Sequence, residues 1–246
     1  MSLTVHQSSV VVFQTGLTAL QAILTKAADH AAQSKFDPAV YATLRLRPNM
    51  LPFTRQVLIA CDHAKNGAAR LAGVEAPRFE DNETTLDELK ALSAVLDKAE
   101  AHAQTRKFDP AIYMTLRIRP DMFPFVRQVQ AACDHAKNAS SRLAGVEAPR
   151  FEDNEASLAE LKARIEKTLA HLATLDAAAL EAGAERDILF PVGPNKLRMR
   201  GDNYLLHFAL PNFYFHLTTA YDILRYAGVE IGKRDFLGAP PGLRIV

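Results

Sequence analysis

The sequence predicts an all-α protein with six long helices and one small β-hairpin. Apolar residues recur at spacings of three and four along most of the 246 residues, which is the pattern of amphipathic helices. A Ser/Thr-x-x-Glu capping box, typical of helix N-termini, occurs at Thr85–Glu88 and again at Ser157–Glu160. The segment Asn203–Ala227 is apolar on nearly all sides, as expected for the buried helix of a bundle.

The chain contains a near-copy of part of itself. Residues 20–91 align with residues 92–163 without a gap, and 50 of the 72 aligned positions are identical. Residues 1–19 and 164–246 occur once. The chain is therefore organised as a beginning, two copies of one unit and a single end, which indicates a tandem duplication.

The duplication accounts for both cysteines and for four of the eight histidines. Cys61 recurs as Cys133, and His63 recurs as His135. With only two cysteines, a disulfide scaffold is excluded, and a disulfide or metal pair between Cys61 and Cys133 is the weaker interpretation. They lie among alanines on predicted helices, which favours small core residues over metal ligands.

The first copy begins within a predicted amphipathic helix, Val10–Gln33. The linker that follows, Lys35–Asn49, is polar, and its Asp-Pro and Arg-Pro pairs are poor helix continuations. A second helix, Asn49–Leu71, comes next and ends shortly before a glycine. The second copy repeats this order and predicts the helix Asp121–Leu143.

One helix should cross the junction between the copies at Ala91 and Leu92. The capping box at Thr85 opens this helix, and neither glycine nor proline interrupts the segment before Lys107. We therefore expect a continuous helix, Thr85–Arg106.

The single end of the chain starts with a fifth helix after the second capping box. Asp187–Arg200 has apolar runs around Gly-Pro-Asn and predicts the β-hairpin. Asp202 is expected to cap the last helix, Asn203–Ala227, and Pro211 should kink or locally open that helix. We expect the tail, Val229–Val246, to be irregular and to lie over the bundle.

The charge balance and the N-terminal sequence argue against several classes of protein. Lys and Arg total 29 against 28 Asp and Glu, without basic blocks, which argues against a dedicated nucleic-acid or membrane-surface binder. The first fifteen residues lack the basic start, apolar run and cleavage site of a signal peptide. No run reaches the roughly 18–20 apolar residues that a membrane helix needs. We expect a soluble, cytoplasmic protein.

Four segments carry a resemblance to a known family. They are Phe123–Lys137 (FPFVRQVQAACDHAK), Leu143–Glu155, Tyr204–His216 and Gly232–Gly238. Together they closely resemble the bacterial DUF1993 family, whose uncharacterised members belong to the DinB/YfiT-like helical-bundle superfamily. The resemblance covers nearly the whole chain, except that a typical member has one unit where this chain has two. It implies a DinB-like antiparallel four-helix bundle with a long crossover.

The resemblance also implies a divalent metal site. Many members of the superfamily hold the ion through three histidines, one on the second helix and two spaced i, i+4 on the last. These positions fall on His135, or its duplicate His63, and on Asn212 and His216. Asn212 departs from the pattern, because asparagine is a weak ligand for Zn²⁺ or Ni²⁺. The alternative is a weaker, two-histidine site that Asn212, Asp134 or water completes. Contiguity along the chain favours His135 over His63 as the partner of His216.

The histidines also have purely structural interpretations. His135 could be a partly solvated surface histidine, and His216 could be a core histidine bonded to Asn212, Thr219 or a tyrosine. His207 cannot simply replace the missing ligand, since it lies about half a turn from His216 round a regular helix. Four further histidines are expected to be solvated: His6, His30, His102 and His171.

Three functions stay open from the sequence. Some superfamily members are thiol-dependent transferases or metal-dependent hydrolases, so the chain could be a degenerate enzyme of that kind. Alternatively, the cleft between the second and the last helix could bind a small apolar or aromatic ligand without chemistry. The side chains expected to line that cleft are Phe208, Phe213, Tyr214, Phe215 and Thr219. The third function is association alone.

We expect residues 92–246 to form the complete bundle and residues 1–91 to form an added helical hairpin. Each large apolar side chain that the hairpin left in water would cost roughly 1.5–3 kcal/mol, so the hairpin must pack on something. The first copy is more apolar at one place, where Leu58 stands in the position of Gln130. This favours a contact of the helix Asn49–Leu71 either with the bundle of the same chain or with a second chain. Of the two we expect a homodimer, with domain swapping as an alternative.

Overall fold

The structure, a computed structural model, describes residues 25–26, 28–37, 39–71 and 85–237. The chain forms two compact units, Met1–Asp81 and Asn82–Val246, named unit one and unit two. The predicted first helix, Val10–Gln33, lies outside the described residues except for its C-terminal part, which is helical. Within the described residues, no helix has the length and apolar character needed to span a membrane.

Unit one contains a short helix, α1 (Val40–Thr43), and a long one, α2 (Phe53–Leu71). The sequence pattern does not predict α1, because an Asp-Pro pair precedes it and disfavours helix. Instead, Asp37 helps to start the helical turn, since its Oδ1 accepts a hydrogen bond from the backbone N–H of Ala39 at 2.8 Å. The long helix starts four residues later than expected and continues to Leu71, where the described residues of unit one end.

Unit two holds the bundle and the β-hairpin. Among its described residues, the helices and strands are α3 (Thr85–Arg106), α4 (Ile112–Thr115), α5 (Phe125–Ala144), α6 (Leu158–Ala173), α7 (Ala177–Ala182), β1 (Asp187–Val192), β2 (Asn195–Arg200), α8 (Gly201–Tyr204), α9 (Leu210–Tyr226) and α10 (Lys233–Leu237). A 3₁₀ turn, Gly183–Glu185, precedes β1, and a π-helical turn, Leu205–Ala209, joins α8 to α9. This mostly helical architecture with one small sheet confirms the predicted fold class.

Helix α3 is the helix predicted to cross the repeat junction, and it is continuous. From Leu92 onward, where the burial of its side chains is described, the buried apolar residues are Leu92, Val95, Leu96, Ala99 and Ala103. These residues belong to the second copy, whereas the first turns of the helix belong to the first copy. One helix therefore ends the first copy and also supplies the first helix of the bundle.

The core of unit two is formed by α3, α5, α6 and α9. Large side chains that these four helices bury in it are Leu96, Phe125, Leu161, Ile165, Phe213, Leu217 and Ile223, and Tyr113 of α4 is buried with them. Burial of one such side chain contributes about 1.5–3 kcal/mol. Helix α5 contacts both α6 and α9, so its position decides what the last helix meets.

Two local predictions in unit two are confirmed. The capping box opens α6, because Ser157 Oγ accepts from the backbone N–H of Glu160 at 3.2 Å and the Glu160 carboxylate accepts from the N–H of Ser157 at 3.1 Å. Strands β1 and β2 pair antiparallel from Asp187–Arg200 to the turn, where Gly193 has a φ of 56°. That left-handed conformation favours glycine in a tight hairpin turn.

The last helix is interrupted by the π-helical turn. Pro211, the second residue of α9, has no N–H to donate to the carbonyl one turn earlier, and the backbone widens just before it. The predicted opening at Pro211 is thereby confirmed. The expectation that Asp202 caps the helix is wrong, because the helix already starts at Gly201 and the Asp202 carboxylate accepts from Arg200 Nε at 2.9 Å.

The expectation of an irregular tail is wrong for α10. This short helix begins after Gly232, whose backbone N–H donates to the Asp235 carboxylate at 2.8 Å. It packs on α3, where Lys98 Nζ lies 2.7 Å from the Asp235 carboxylate. Phe236 meets the ring of Tyr221 edge-on, with centroids 5.6 Å apart. Residues 238–246 lie outside the described residues.

A buried ion network fixes the loop between α5 and α6. The side chain of Arg164 on α6 is 1% exposed and lies 2.9–3.0 Å from the carboxylates of Asp134, Asp153 and Glu155. Its Nη1 also donates to the backbone carbonyl of Glu152 at 3.1 Å. A buried guanidinium needs such partners, because removal from water is costly unless it is paired and hydrogen-bonded. Arg164 therefore ties the loop to α5.

Replacing Arg164 with methionine should lower the free energy of unfolding by about 3–5 kcal/mol, because the nearly buried carboxylate of Glu155 loses its cationic partner. Urea unfolding followed by circular dichroism measures the change. The control is Lys162→Met on the same helix, whose more exposed ion pair with Asp97 should contribute less than about 1 kcal/mol. Equal losses in the two variants would contradict the role of the network.

The duplicated cysteines should react very differently with a thiol reagent. Burial raises the pKa of the Cys133 thiol on α5 to about 12, whereas Cys61 on α2 is exposed. Native protein that carries Cys133→Ser should react with Ellman's reagent within minutes through Cys61. Protein that carries Cys61→Ser should react only after unfolding. Comparable rates in the two native variants would show that α5 is not buried as described.

Candidate functional site

Helices α5 and α9 bring together the two histidines that the sequence analysis pairs. The ring centroids of His135 and His216 lie 5.5 Å apart, and the ring planes differ by 16°. Both side chains are half-buried. The duplicate, His63, lies on α2 in unit one. The pair forms the centre of the candidate site.

A buried amide orients His216. Gln128 on α5 is 2% exposed, and its Nε2 donates to the backbone carbonyl of Phe123 at 3.1 Å. Because a carbonyl can only accept, the amide oxygen must be the atom that lies 2.8 Å from Nδ1 of His216. This contact fits a neutral ring that carries its proton on Nδ1. In that tautomer Nε2 keeps the lone pair.

No local sequence pattern predicts Gln128 as the partner of His216. The expected partners of His216 make other bonds: Asn212 Nδ2 donates to the carbonyl of Phe208 at 2.7 Å, and the Thr219 hydroxyl donates to the carbonyl of Phe215 at 2.7 Å. The spacing along the helix is the feature that points to Gln128. This residue lies two helical turns before His135 and therefore on the same side of α5.

Both imidazoles are held in the neutral form. Burial, together with the neighbouring His135 and Arg127, lowers the pKa of His216 from 6.5 to about 4. Burial also lowers the pKa of His135, against the opposing effect of Asp134. Neutral imidazole is the form that binds a metal ion or accepts a proton. The site is therefore set for coordination or hydrogen bonding at neutral pH.

Aromatic side chains surround the pair. Phe123 is nearly parallel to His216 with centroids 6.4 Å apart, and Phe215 meets the same ring edge-on at 5.2 Å. Phe123 is 52% exposed and Phe215 is 59% exposed, so both mark the outer edge of the site. Phe208 lies edge-on to His135 at 6.2 Å.

The residues predicted to line a ligand cleft are divided between this site and the core. Phe208 lies beside His135 and also packs on Phe190 of the β-hairpin, with centroids 4.5 Å apart. Phe213 is buried in the core, and Tyr214 is half-buried against it. Thr219 is buried. The structure thus brings Phe208 and Phe215 to the histidine pair.

Several other histidines have hydrogen-bond partners. His30 is exposed, as expected, and its Nδ1 lies 2.6 Å from the Tyr41 hydroxyl. The expectation of solvation is wrong for His102 and His171, which are half-buried. They are bonded to the hydroxyls of Tyr113 and Ser141, respectively, each at 2.7 Å. His6 lies outside the described residues.

The donor set at the candidate site is small. Within the part of the chain that the structure describes, no three side chains among histidine, cysteine, aspartate and glutamate lie close enough together to share a metal ion. Asn212 lies one turn before His216 and on the same side of α9, at the position where the family pattern has a histidine.

Comparison with known proteins identifies both the family and the fold. The family described as "Domain of unknown function (DUF1993)" matches residues 5–92 and again residues 87–237, in line with the tandem duplication. The crystal structure of a DinB family member protein from Shewanella denitrificans is similar, with 41% sequence identity and a TM-score of 0.61. The similarity covers 65% of this chain and 90% of that one. No curated protein matches the sequence.

The low pKa of His216 has a consequence for stability. The unfolded chain binds a proton at this residue below pH 6.5, whereas the folded chain does so only near pH 4, so stability is lost as the pH falls between these values. We expect wild-type protein to lose about 1–2 kcal/mol more than His216→Gln between pH 7 and pH 5. Urea unfolding in chelator-containing buffer measures both. The same loss in the two proteins would contradict the buried, neutral state of His216.

Proposed function

Because the chain belongs to the DUF1993 family and has the DinB-like fold, we propose that His135, His216 and Asn212 form a weak site for a divalent transition-metal ion such as Zn²⁺ or Ni²⁺. The observation that carries the proposal is the convergence of two neutral imidazoles from α5 and α9, one of them oriented by a buried amide.

The spacing of the two rings suits a shared ion. A Zn–N bond of about 2.0–2.1 Å places a ring centroid about 3 Å from the ion, so two imidazoles on one ion have centroids about 4.5–6 Å apart. The separation of 5.5 Å between His135 and His216 lies within this range. Nε2 of His216, which carries the lone pair, is the nitrogen that would bind.

The third ligand accounts for the weakness of the proposed site. Zn²⁺ and Ni²⁺ favour imidazole and thiolate over an amide oxygen. The amide nitrogen of Asn212 is engaged by the carbonyl of Phe208, so its oxygen is the atom that would meet the ion. Water would complete the coordination. We expect lower affinity than a three-histidine site would give.

The chemistry follows from these roles. A bound ion would supply Lewis-acid chemistry, by which water is activated or a thiol co-substrate is oriented for hydrolysis or transfer. His135 and His216 would hold the ion, and Gln128 would keep the proton of His216 on Nδ1. Phe123 and Phe215 would limit the access of water and present apolar surface to a substrate.

Two alternatives have their own support. The exposed rings of Phe123 and Phe215 beside His216 favour a binding module for a small aromatic ligand without chemistry. Exposed leucines on unit one, including Leu44, Leu51 and Leu58, favour self-association as a homodimer. Metal analysis separates the proposed metal site from both alternatives.

Metal binding by protein purified without a histidine tag should depend on the site residues and on one copy of the duplicated histidine. His135→Ala and His216→Ala should abolish binding of Zn²⁺ or Ni²⁺ in calorimetric titrations. Asn212→His should raise the affinity about tenfold or more, because imidazole replaces an amide oxygen. His63→Ala is the matched control and should bind as wild type does.

Two results would overturn the metal site. One is a metal content of the wild-type protein below about one tenth of an equivalent of Zn, Ni, Fe or Mn, with no increase when metal is added. A site with imidazole ligands should bind the added ion. The other is a loss of binding in His63→Ala as large as that in His135→Ala, which would mean that both copies of the histidine take part.

A further inference from the structure

We propose that Gln128 is a positioning residue that holds the proton of His216 on Nδ1, so that Nε2 is the atom presented to whatever occupies the site. The inference rests on the proposed function only for the identity of that occupant. The tautomer of His216 is observable without any metal or ligand.

The orientation of the Gln128 amide is fixed from its far end. The carbonyl of Phe123 accepts from Nε2 at 3.1 Å, and a flipped amide would set two oxygen atoms against each other. With Gln128 2% exposed, water is not available to compensate for a flip. The amide oxygen of Gln128 therefore faces His216.

The tautomer of His216 follows from the amide. Which nitrogen of a neutral imidazole carries the proton is set by the hydrogen bond that the other one makes. The amide oxygen at 2.8 Å can only accept, so Nδ1 must donate. In water, neutral histidine prefers the proton on Nε2. The protein therefore reverses the intrinsic preference of the ring.

Phe123 contributes to the same arrangement twice. Its backbone carbonyl fixes the amide of Gln128, and its side chain lies nearly parallel to the ring of His216 with centroids 6.4 Å apart. The start of α5 thus determines both the tautomer and the tilt of the imidazole. In metal sites, groups that orient a ligand in this way typically change affinity by 10–100-fold when they are removed.

The duplication supplies a matched control. Gln56 on α2 is the copy of Gln128, and its Nε2 lies 3.5 Å from the carbonyl of Leu51, which is the copy of Phe123. The same amide thus occurs at the start of both helices. The last helix is not duplicated, so His216 has no copy in the chain. His216 and Gln128 both belong to unit two.

The test is a long-range ¹H–¹⁵N correlation spectrum of protein labelled at histidine, recorded near pH 8 in the presence of chelator. Wild-type His216 should show a protonated Nδ1 and an unprotonated Nε2. Gln128→Leu should move the proton to Nε2, while Gln128→Glu, which keeps an acceptor, should leave Nδ1 protonated. Gln56→Leu should leave the spectrum of His216 unchanged.

The results that would contradict the positioning role of Gln128 differ from those that would contradict the metal site. A proton on Nε2 of wild-type His216, or on Nδ1 of a folded Gln128→Leu variant, would overturn the positioning role. Signals of His102 and His171 report whether the Gln128→Leu variant is folded. If it is not folded, the wild-type spectrum still tests whether Nδ1 of His216 carries the proton. If the tautomer is as proposed but Zn²⁺ does not bind, the metal site fails and the positioning role stands.

Zn²⁺ titration then links the tautomer to the proposed site. Gln128→Leu should bind Zn²⁺ about 10–100-fold more weakly than wild type, and Gln56→Leu should bind it equally well. Equal binding by Gln128→Leu and wild type, with the tautomer changed, would show that Nε2 of His216 is not the atom that meets the ion.

Discussion

The packing of α9 along α5 is the constraint on which the rest of the candidate site depends. Neither helix carries a site by itself: α5 supplies His135 and Gln128, and α9 supplies His216 and Asn212. The register between the two helices sets the 5.5 Å separation of the imidazole rings and the 2.8 Å hydrogen bond to the amide. Burial along the same contact lowers the pKa of both histidines.

The tandem duplication makes the effect of surroundings visible. Cys61 and Cys133 lie in identical six-residue segments, yet one is exposed and the other is buried with a strongly raised pKa. Gln56 and Gln128 both approach a backbone carbonyl, but His216 is joined to Gln128. The chemistry of a side chain in this protein is therefore decided by the unit in which it lies rather than by its local sequence.

Most helices could be predicted from the sequence because their signals are local. The capping box at Ser157, the unbroken segment Thr85–Arg106 and the missing N–H of Pro211 each act within a turn or two. The short helices α1 and α4 were not predicted, for an equally local reason. An Asp-Pro pair disfavours helix in the residue before proline, but in the second copy Asp109 accepts from the N–H of Ala111 and starts a turn.

The site was predictable only in part, because its geometry is tertiary. The resemblance to a family gave His135, His216 and Asn212, but no local pattern shows which side chain meets Nδ1 of His216. Gln128 and Arg164 are both long, polar and buried, and sequence alone gives neither of them a partner. Their roles follow from what the folded chain places opposite them: a histidine in one case and three carboxylates in the other.

Hydrogen exchange of the two identical segments Cys61–Asn66 and Cys133–Asn138 tests the account most directly. Their intrinsic exchange rates are nearly the same, and flanking differences such as Gly67 against Ala139 let mass spectrometry tell the peptides apart. If the packing of α9 on α5 governs unit two, residues 133–138 should exchange on the order of a hundredfold more slowly than residues 61–66. Equal exchange in the two segments would contradict the account.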